Sequence, residues 1–169
     1  MEILIYTIGF AGKSAEEFFR LLDEVRVQQV IDIRQHREGQ LSGFAKHPDL
    51  AFFLEKVARI GYSHELQLAP TLELLKEYRE NQDWPAYEVG FLRLMHERGI
   101  PKILDASTWP PRVALLCSEP GPEKCHRRLV ADLLAAHWRT QGHNVFIHHL
   151  VAARTKSSKT RHKKPPSVP

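Results

Sequence analysis

The run Val113-Ala-Leu-Leu-Cys117 constrains this chain more than any other segment. Five apolar residues in succession, with no polar alternation, suit a strand covered on both faces, and such strands belong to parallel sheets flanked by helices. Ser118-Glu-Pro-Gly-Pro122 then breaks the strand, and Cys125 to Thr140 has helical apolar spacing. A buried strand followed at once by a helix is part of a β-α-β unit. The rest of the chain is therefore expected to alternate in the same way.

It does. Glu2 to Ile8 is apolar and β-branched and stops at Gly9; Ser14-x-x-Glu17 is a capping box that opens an amphipathic run from Ala15 to Val27. Gln29 to Ile33 reads as a second strand, Arg34 to His47 as a polar loop, and Pro48 as the first residue of a helix reaching Ile60. Gly61 ends that helix, Tyr62 to Leu68 reads as a third strand, and Thr71 to Asn81 and Trp84 to Arg98 read as helices. Asn144 to Leu150 closes the pattern as a last strand. The expected fold is a single three-layer α/β domain over residues 1–150, its mostly parallel sheet carrying helices on both faces.

Charge separates the body from the tail. Six of the 24 Lys and Arg (Arg154, Lys156, Lys159, Arg161, Lys163 and Lys164) follow Leu150, with no Asp or Glu among them, leaving 18 basic against 20 acidic residues in the body. The net charge of +4 is thus a property of residues 151–169, a segment low in apolar residues and expected to be disordered. Such a tail either holds nucleic acid through counterion release or is simply solvated. No apolar run reaches 18 residues, and the first nine lack a basic flank, so neither a membrane span nor a secretory leader is expected. Two cysteines in a chain of 169 residues suit a reducing compartment, and the cytoplasm is the expected one.

In parallel sheets, ligands bind beyond the carboxyl ends of the strands. Those ends carry Thr7 and Gly9, Asp32 and Arg34, Cys117 and Glu119, and His148. Asp32 alternates with Ile31 and Ile33 and so shares a face with Arg34; the pair is either functional or a structural ion pair. Cys125, at the start of a helix and beside His126, Arg127 and Arg128, is either an activated nucleophile or a small buried wedge. Helical geometry makes adjacent side chains diverge, so Cys125 and His126 are not expected to converge, and no metal or cofactor is expected. A reversible Cys117–Cys125 disulfide is open by loop length. For an anion, the Gly9-Phe-Ala-Gly12-Lys13 loop, Arg34, Arg127, Arg128 and the helix start form a candidate cradle, although the glycines match no P-loop.

Together, Thr7-Ile-Gly9, Asp32-Ile-Arg34, Leu115-Leu-Cys117-Ser-Glu119 and Cys125-His126-Arg127, with a closing strand near His148, resemble the bacterial and archaeal family called domain of unknown function 488, from about Leu4 to Leu150. The resemblance implies an α/β domain whose motifs share one pocket, with nucleotide or nucleic-acid transactions as the expected theme. It carries over Thr7, Gly9, Asp32, Arg34, Cys117, Glu119, Cys125, His126 and Arg127 as candidate site residues. The chain departs from the pattern at Phe10-Ala11, where the family usually has His-Ser, and at Leu66-Gln-Leu68, where it has Leu-Gly-Gly; an altered ligand or lost activity would follow from either.

The leading expectation is an enzyme or ligand-binding domain for a phosphate-bearing molecule. Arg34 and Arg127 would anchor the anion, Thr7, Gly9 and Cys117 would line its site, and Asp32, Glu119 and His126 would handle protons, with Cys125 as nucleophile or packing. One alternative is a nucleic-acid accessory module that uses its tail. The other is a sulfur-transfer or redox protein that uses Cys125.

Overall fold

The computed structural model describes residues 1–38 and 42–152. The basic tail beyond Ala152, with its expected disorder and nucleic-acid role, lies outside the described residues. Five strands form one parallel sheet: β1 (Glu2–Gly9), β2 (Gln29–Asp32), β3 (Gly61–His64), β4 (Arg112–Cys117) and β5 (Asn144–Leu150), in the order β3-β2-β4-β1-β5. The expected three-layer α/β fold is the observed one.

Helices cover both faces because the strand side chains alternate between two apolar clusters. Ile3, Ile5, Ile31, Ile33, Val113 and Leu115 pack with α4 (Trp84–Glu97) and α5 (His126–Thr140), and with Leu74, Leu75 and Tyr78 of α3 (Leu72–Asn81). Tyr6, Ile8, Val30, Ala114 and Leu116 pack on the opposite face against α1 (Ala15–Glu24) and α2 (Asp49–Phe52), which continues as a π-helix over Phe53–Ala58. Oxygen acceptors cap three of these helices: Ser14, Thr71 and Asp83 each accept an N–H from the first turn.

Three expectations need correction. The third strand ends at His64 rather than Leu68, because the chain folds into a 3-10 turn over Leu66–Leu68 that drops Leu68 into the core. Arg98 holds that turn by donating to the carbonyls of Gln67 and Ala69 at 2.8 and 2.6 Å, and this packed turn stands where the family pattern has glycines. The polar loop after β2 contains a 3-10 turn, Gly43–Ala45, with Ala45 buried. Finally, Cys125 is not in the first turn of α5; it is the N-cap, with extended backbone at φ −142° and ψ 134°.

The connections leaving β1 and β4 determine where a ligand can sit. From β1 the chain crosses to β2 on one side of the sheet, and from β4 it crosses to β5 on the other, although β1 and β4 are hydrogen-bonded neighbours. Neighbouring strands whose loops part in opposite directions leave a crevice beyond their carboxyl ends. In register, those ends are Gly9 opposite Cys117, with Asp32 opposite Leu116 one strand further on.

Candidate functional site

At this edge lies a cleft of about 100 Å³, walled by Tyr78, Trp84 and Tyr87 from α3 and α4 and floored by Cys117, Glu119, Cys125 and His126. Cys117 follows Val113 and Leu115 in the strand alternation, so its thiol points toward α4 and α5. Because Cys125 is an extended cap rather than a helical residue, its side chain escapes the divergence that helical spacing would impose. The Sγ atoms of Cys117 and Cys125 and a ring nitrogen of His126 lie within 4.8 Å of one another. The expectation that adjacent Cys125 and His126 would not converge is thereby overturned, and the cause is the cap conformation.

Hydrogen bonds define the cluster. The Cys117 thiol donates to Glu119 Oε2 at 2.8 Å, the Cys125 thiol reaches the same oxygen at 3.5 Å, and Cys117 Sγ is 3.6 Å from His126 Nδ1. His126 Nε2 donates to the Ile33 carbonyl at 2.9 Å, tying the start of α5 to the end of β2. A carbonyl can only accept, so in the neutral ring the proton sits on Nε2 and the Nδ1 lone pair faces the sulfurs. Both cysteines are free thiols.

Burial, aided by the neighbouring Cys117, pushes the Cys125 thiol well above its ordinary pKa. This runs against its expected activation at a helix start. Burial alone would lower the pKa of His126, but its hydrogen bonds to Cys125 and the Ile33 carbonyl outweigh that effect, and the net direction is up. Burial likewise pushes the Glu119 carboxyl up; the hydrogen bond from Cys117, a backbone N–H and the nearby His126 prevail and leave it below its usual value. Tyr87 faces Cys117, Cys125 and Glu119, and its hydroxyl pKa is raised, chiefly by burial.

The remaining expected residues reach the same edge in two other groups. Asp32 and Arg34 point to the opposite face of the sheet, where Arg34 Nε and Nη2 donate to the two Asp32 oxygens at 2.8 and 2.7 Å and Nη1 donates to the Ala45 carbonyl at 2.9 Å. Tyr62 adds its hydroxyl to Asp32 at 2.8 Å, and the Arg34 guanidinium lies 5.2 Å from the centre of the Phe10 ring. Phe10, one departure from the family pattern, is thus part of this ion pair's packing.

Arg127 is fully buried behind the cleft, donating to the carbonyls of Glu119 at 2.7 Å and Pro120 at 3.4 Å and to Cys125 Sγ at 3.3 Å. Its Nε has no partner among the described residues. Thr7 bonds His149 at 2.8 Å, and Gly9 is pressed against the Glu119 carbonyl. Both guanidiniums expected to anchor an anion are therefore already bonded to protein acceptors. Arg128 turns away to Glu88 and Asp132, at 3.3 Å each. His148 stacks on Tyr6.

A family model described as "Domain of unknown function DUF488" matches residues 14–134, well over half the chain. The chain belongs to that family. The DUF488 match contains Asp32, Arg34, Cys117, Glu119, Cys125, His126 and Arg127, whereas Thr7, Gly9 and His148 fall outside it. Comparison with curated proteins and with solved structures returns no match.

Several residues lining the cleft of this DUF488 chain are not marked by any sequence motif. Tyr78, Trp84 and Tyr87 form a continuous wall, with ring centroids 4.9 to 5.9 Å apart, that passes through Phe91 to His126. They obey helical apolar periodicity; the available signal is a hydroxyl on the apolar stripe of α3 and a hydroxyl and an indole N–H on that of α4. Lys124, an exposed cation in the Pro/Gly loop, also lines the cleft.

Proposed function

We propose that this DUF488 domain binds a terminal phosphate, of a nucleotide or a nucleic-acid end, in the cleft at the carboxyl edge of its sheet, and that Glu119 and His126 move protons there. The charge of the cleft carries this reading: Arg34, Arg79 and Lys124 line it against Glu119 alone. The 15-residue helix α5 also begins at its floor with no side chain capping the first turn, and a helix start favours an anion. Size limits the ligand. About 100 Å³ is well below the roughly 300–1,000 Å³ typical of drug-sized pockets, so one phosphate group fits and a whole nucleotide does not. Since Arg34 and Arg127 already have protein acceptors, the proposed contacts fall to the exposed Lys124 and Arg79.

Calorimetric titration with inorganic phosphate, adenosine monophosphate and a 5′-phosphorylated oligonucleotide tests this. Lys124→Ala and Arg79→Ala, both at exposed positions, should each weaken binding about 10-fold, the loss of one charge-assisted contact of about 1.4 kcal/mol. Affinity unchanged in both variants, or no binding by the wild-type protein, would defeat the reading.

A second reading rests on the six basic residues after Leu150, which carry no compensating carboxylate. It makes the tail the source of affinity for DNA or RNA, with binding that weakens steeply as salt rises and vanishes when residues 151–169 are removed. Binding that survives the truncation counts against it. Thiol chemistry at Cys125 is less favoured, since its pKa moves away from the thiolate range.

A further inference from the structure

The two thiols and the imidazole at the cleft floor are a donor set that neither an anion site nor the packing of a helix start requires. We propose that Cys117, Cys125 and His126 together hold one divalent metal ion of the zinc type, with a fourth coordination position open to the cleft beside Glu119. The idea rests on the proposed function for what such an ion would act upon, with His126 then a ligand and proton transfer left to Glu119 alone, but its donor geometry stands independently.

Distance is the first support. Zinc bonds of about 2.3 Å to sulfur and about 2.0 Å to nitrogen, set at tetrahedral angles, place a sulfur and a nitrogen ligand about 3.5 Å apart. Cys117 Sγ and His126 Nδ1 are 3.6 Å apart, and all three donor atoms fall within 4.8 Å of one another.

The surroundings of the donors are the second. A metal-bound histidine characteristically gives its other ring N–H to a carbonyl or carboxylate, which fixes the ring and directs its lone pair. His126 does this through Nε2 to the Ile33 carbonyl at 2.9 Å, with Nδ1 left toward the sulfurs. Arg127 supplies an N–H to Cys125 Sγ at 3.3 Å, the contact that steadies a thiolate.

Charge is the third. Two thiolates, the Glu119 carboxylate, one divalent cation and the buried Arg127 guanidinium sum to zero around a neutral imidazole. Burial without net charge is the condition under which such a cluster is tolerated. Metal entry displaces the two thiol protons to solvent, with the sulfur electron pairs forming the new bonds.

A Cys2His set with a free carboxylate alongside is a donor arrangement used where zinc activates water. Glu119 lies beside the free position: its Oε2 accepts from both thiols in the metal-free protein, contacts that give way when the thiol protons leave, and the residue lines the cleft. The class of ligand this implies is an oxygen, from water or from the phosphate of the proposed substrate, completing the metal's coordination.

The test uses the full chain, stripped of metal by a chelator and titrated with cobalt(II). The expected result is one ion per chain, a thiolate-to-cobalt charge-transfer absorption, tetrahedral d–d bands, two protons released per ion, and displacement by zinc. Cys117→Ser and Cys125→Ser should each weaken cobalt binding more than about 100-fold, whereas Glu119→Gln should keep the band. If either serine variant fails to fold, X-ray absorption of the zinc-loaded wild-type protein decides, with two sulfurs at about 2.3 Å expected in the first shell. No charge-transfer band in the wild type, a band that survives loss of both cysteines, or an all-nitrogen-and-oxygen shell overturns the proposal. Phosphate binding by the metal-free protein without any cobalt band overturns it too, while leaving the anion-site reading in place.

Discussion

Asp32→Ala is expected to cost about 3–5 kcal/mol of folding stability, because it strands a buried cation. Asp32 is 0% exposed and Arg34 is 4% exposed, and the carboxylate accepts from Arg34 Nε, Nη2 and backbone N–H and from the Tyr62 hydroxyl. Without it, the guanidinium keeps only the Ala45 carbonyl among these contacts. The loss should appear as a fall in the urea midpoint with little change in slope. Exchanging both partners for apolar residues of similar volume, Asp32→Leu with Arg34→Met, should recover much of the deficit, since the penalty is the unpaired charge and not the absence of a salt bridge. A single variant within about 1 kcal/mol of wild type would show that water reaches the guanidinium and that this pair contributes little.

Gly9→Ala should be about equally damaging, at about 3 kcal/mol or more, for a steric reason. An added Cβ would fall 1.6 Å from the Glu119 carbonyl oxygen and 2.9 Å from Arg127 Nη1. A flexible side chain could step aside; a backbone carbonyl that itself receives the Arg127 hydrogen bond cannot do so without moving the whole β4–α5 loop. That loop carries Glu119, so phosphate affinity should fall together with the melting temperature. Gly43→Ala serves as the control, because nothing lies within 4 Å of its added Cβ, and it should be nearly neutral. Equal melting temperatures for the two variants would mean that Gly9 and the loop are less tightly apposed than the structure shows.

How far the chain could be read in advance depended on whether local periodicity was the deciding force. The apolar run at Val113–Cys117 and the alternation around Asp32 are period-two signals, and burial in a parallel sheet enforces them; strand order aside, the architecture and the Asp32–Arg34 pairing followed from them. The floor of the cleft was not legible in the same way. Cys125 lies one residue before the helix begins, where helical spacing no longer holds, and its extended cap conformation brings it together with its neighbour. The wall was hidden for the opposite reason: Tyr78, Trp84 and Tyr87 obey the apolar periodicity of α3 and α4, and only their contact across the sheet edge makes them part of a site. Arg127 was legible as a residue that matters, but its burial and its carbonyl partners are long-range facts that no spacing encodes.

The sheet order has a consequence for how this protein is born. β1 has β4 and β5 as its neighbours, so Leu4 finds Arg112 and Phe146 only after more than a hundred further residues have been made, whereas β2 and β3 can pair early. β1 therefore waits with both edges unsatisfied until β4 and β5 have been made. Pairing of such long sequence separation is slow and leaves the nascent chain open to aggregation. Assistance during synthesis should matter more to the yield of this domain than its modest size suggests.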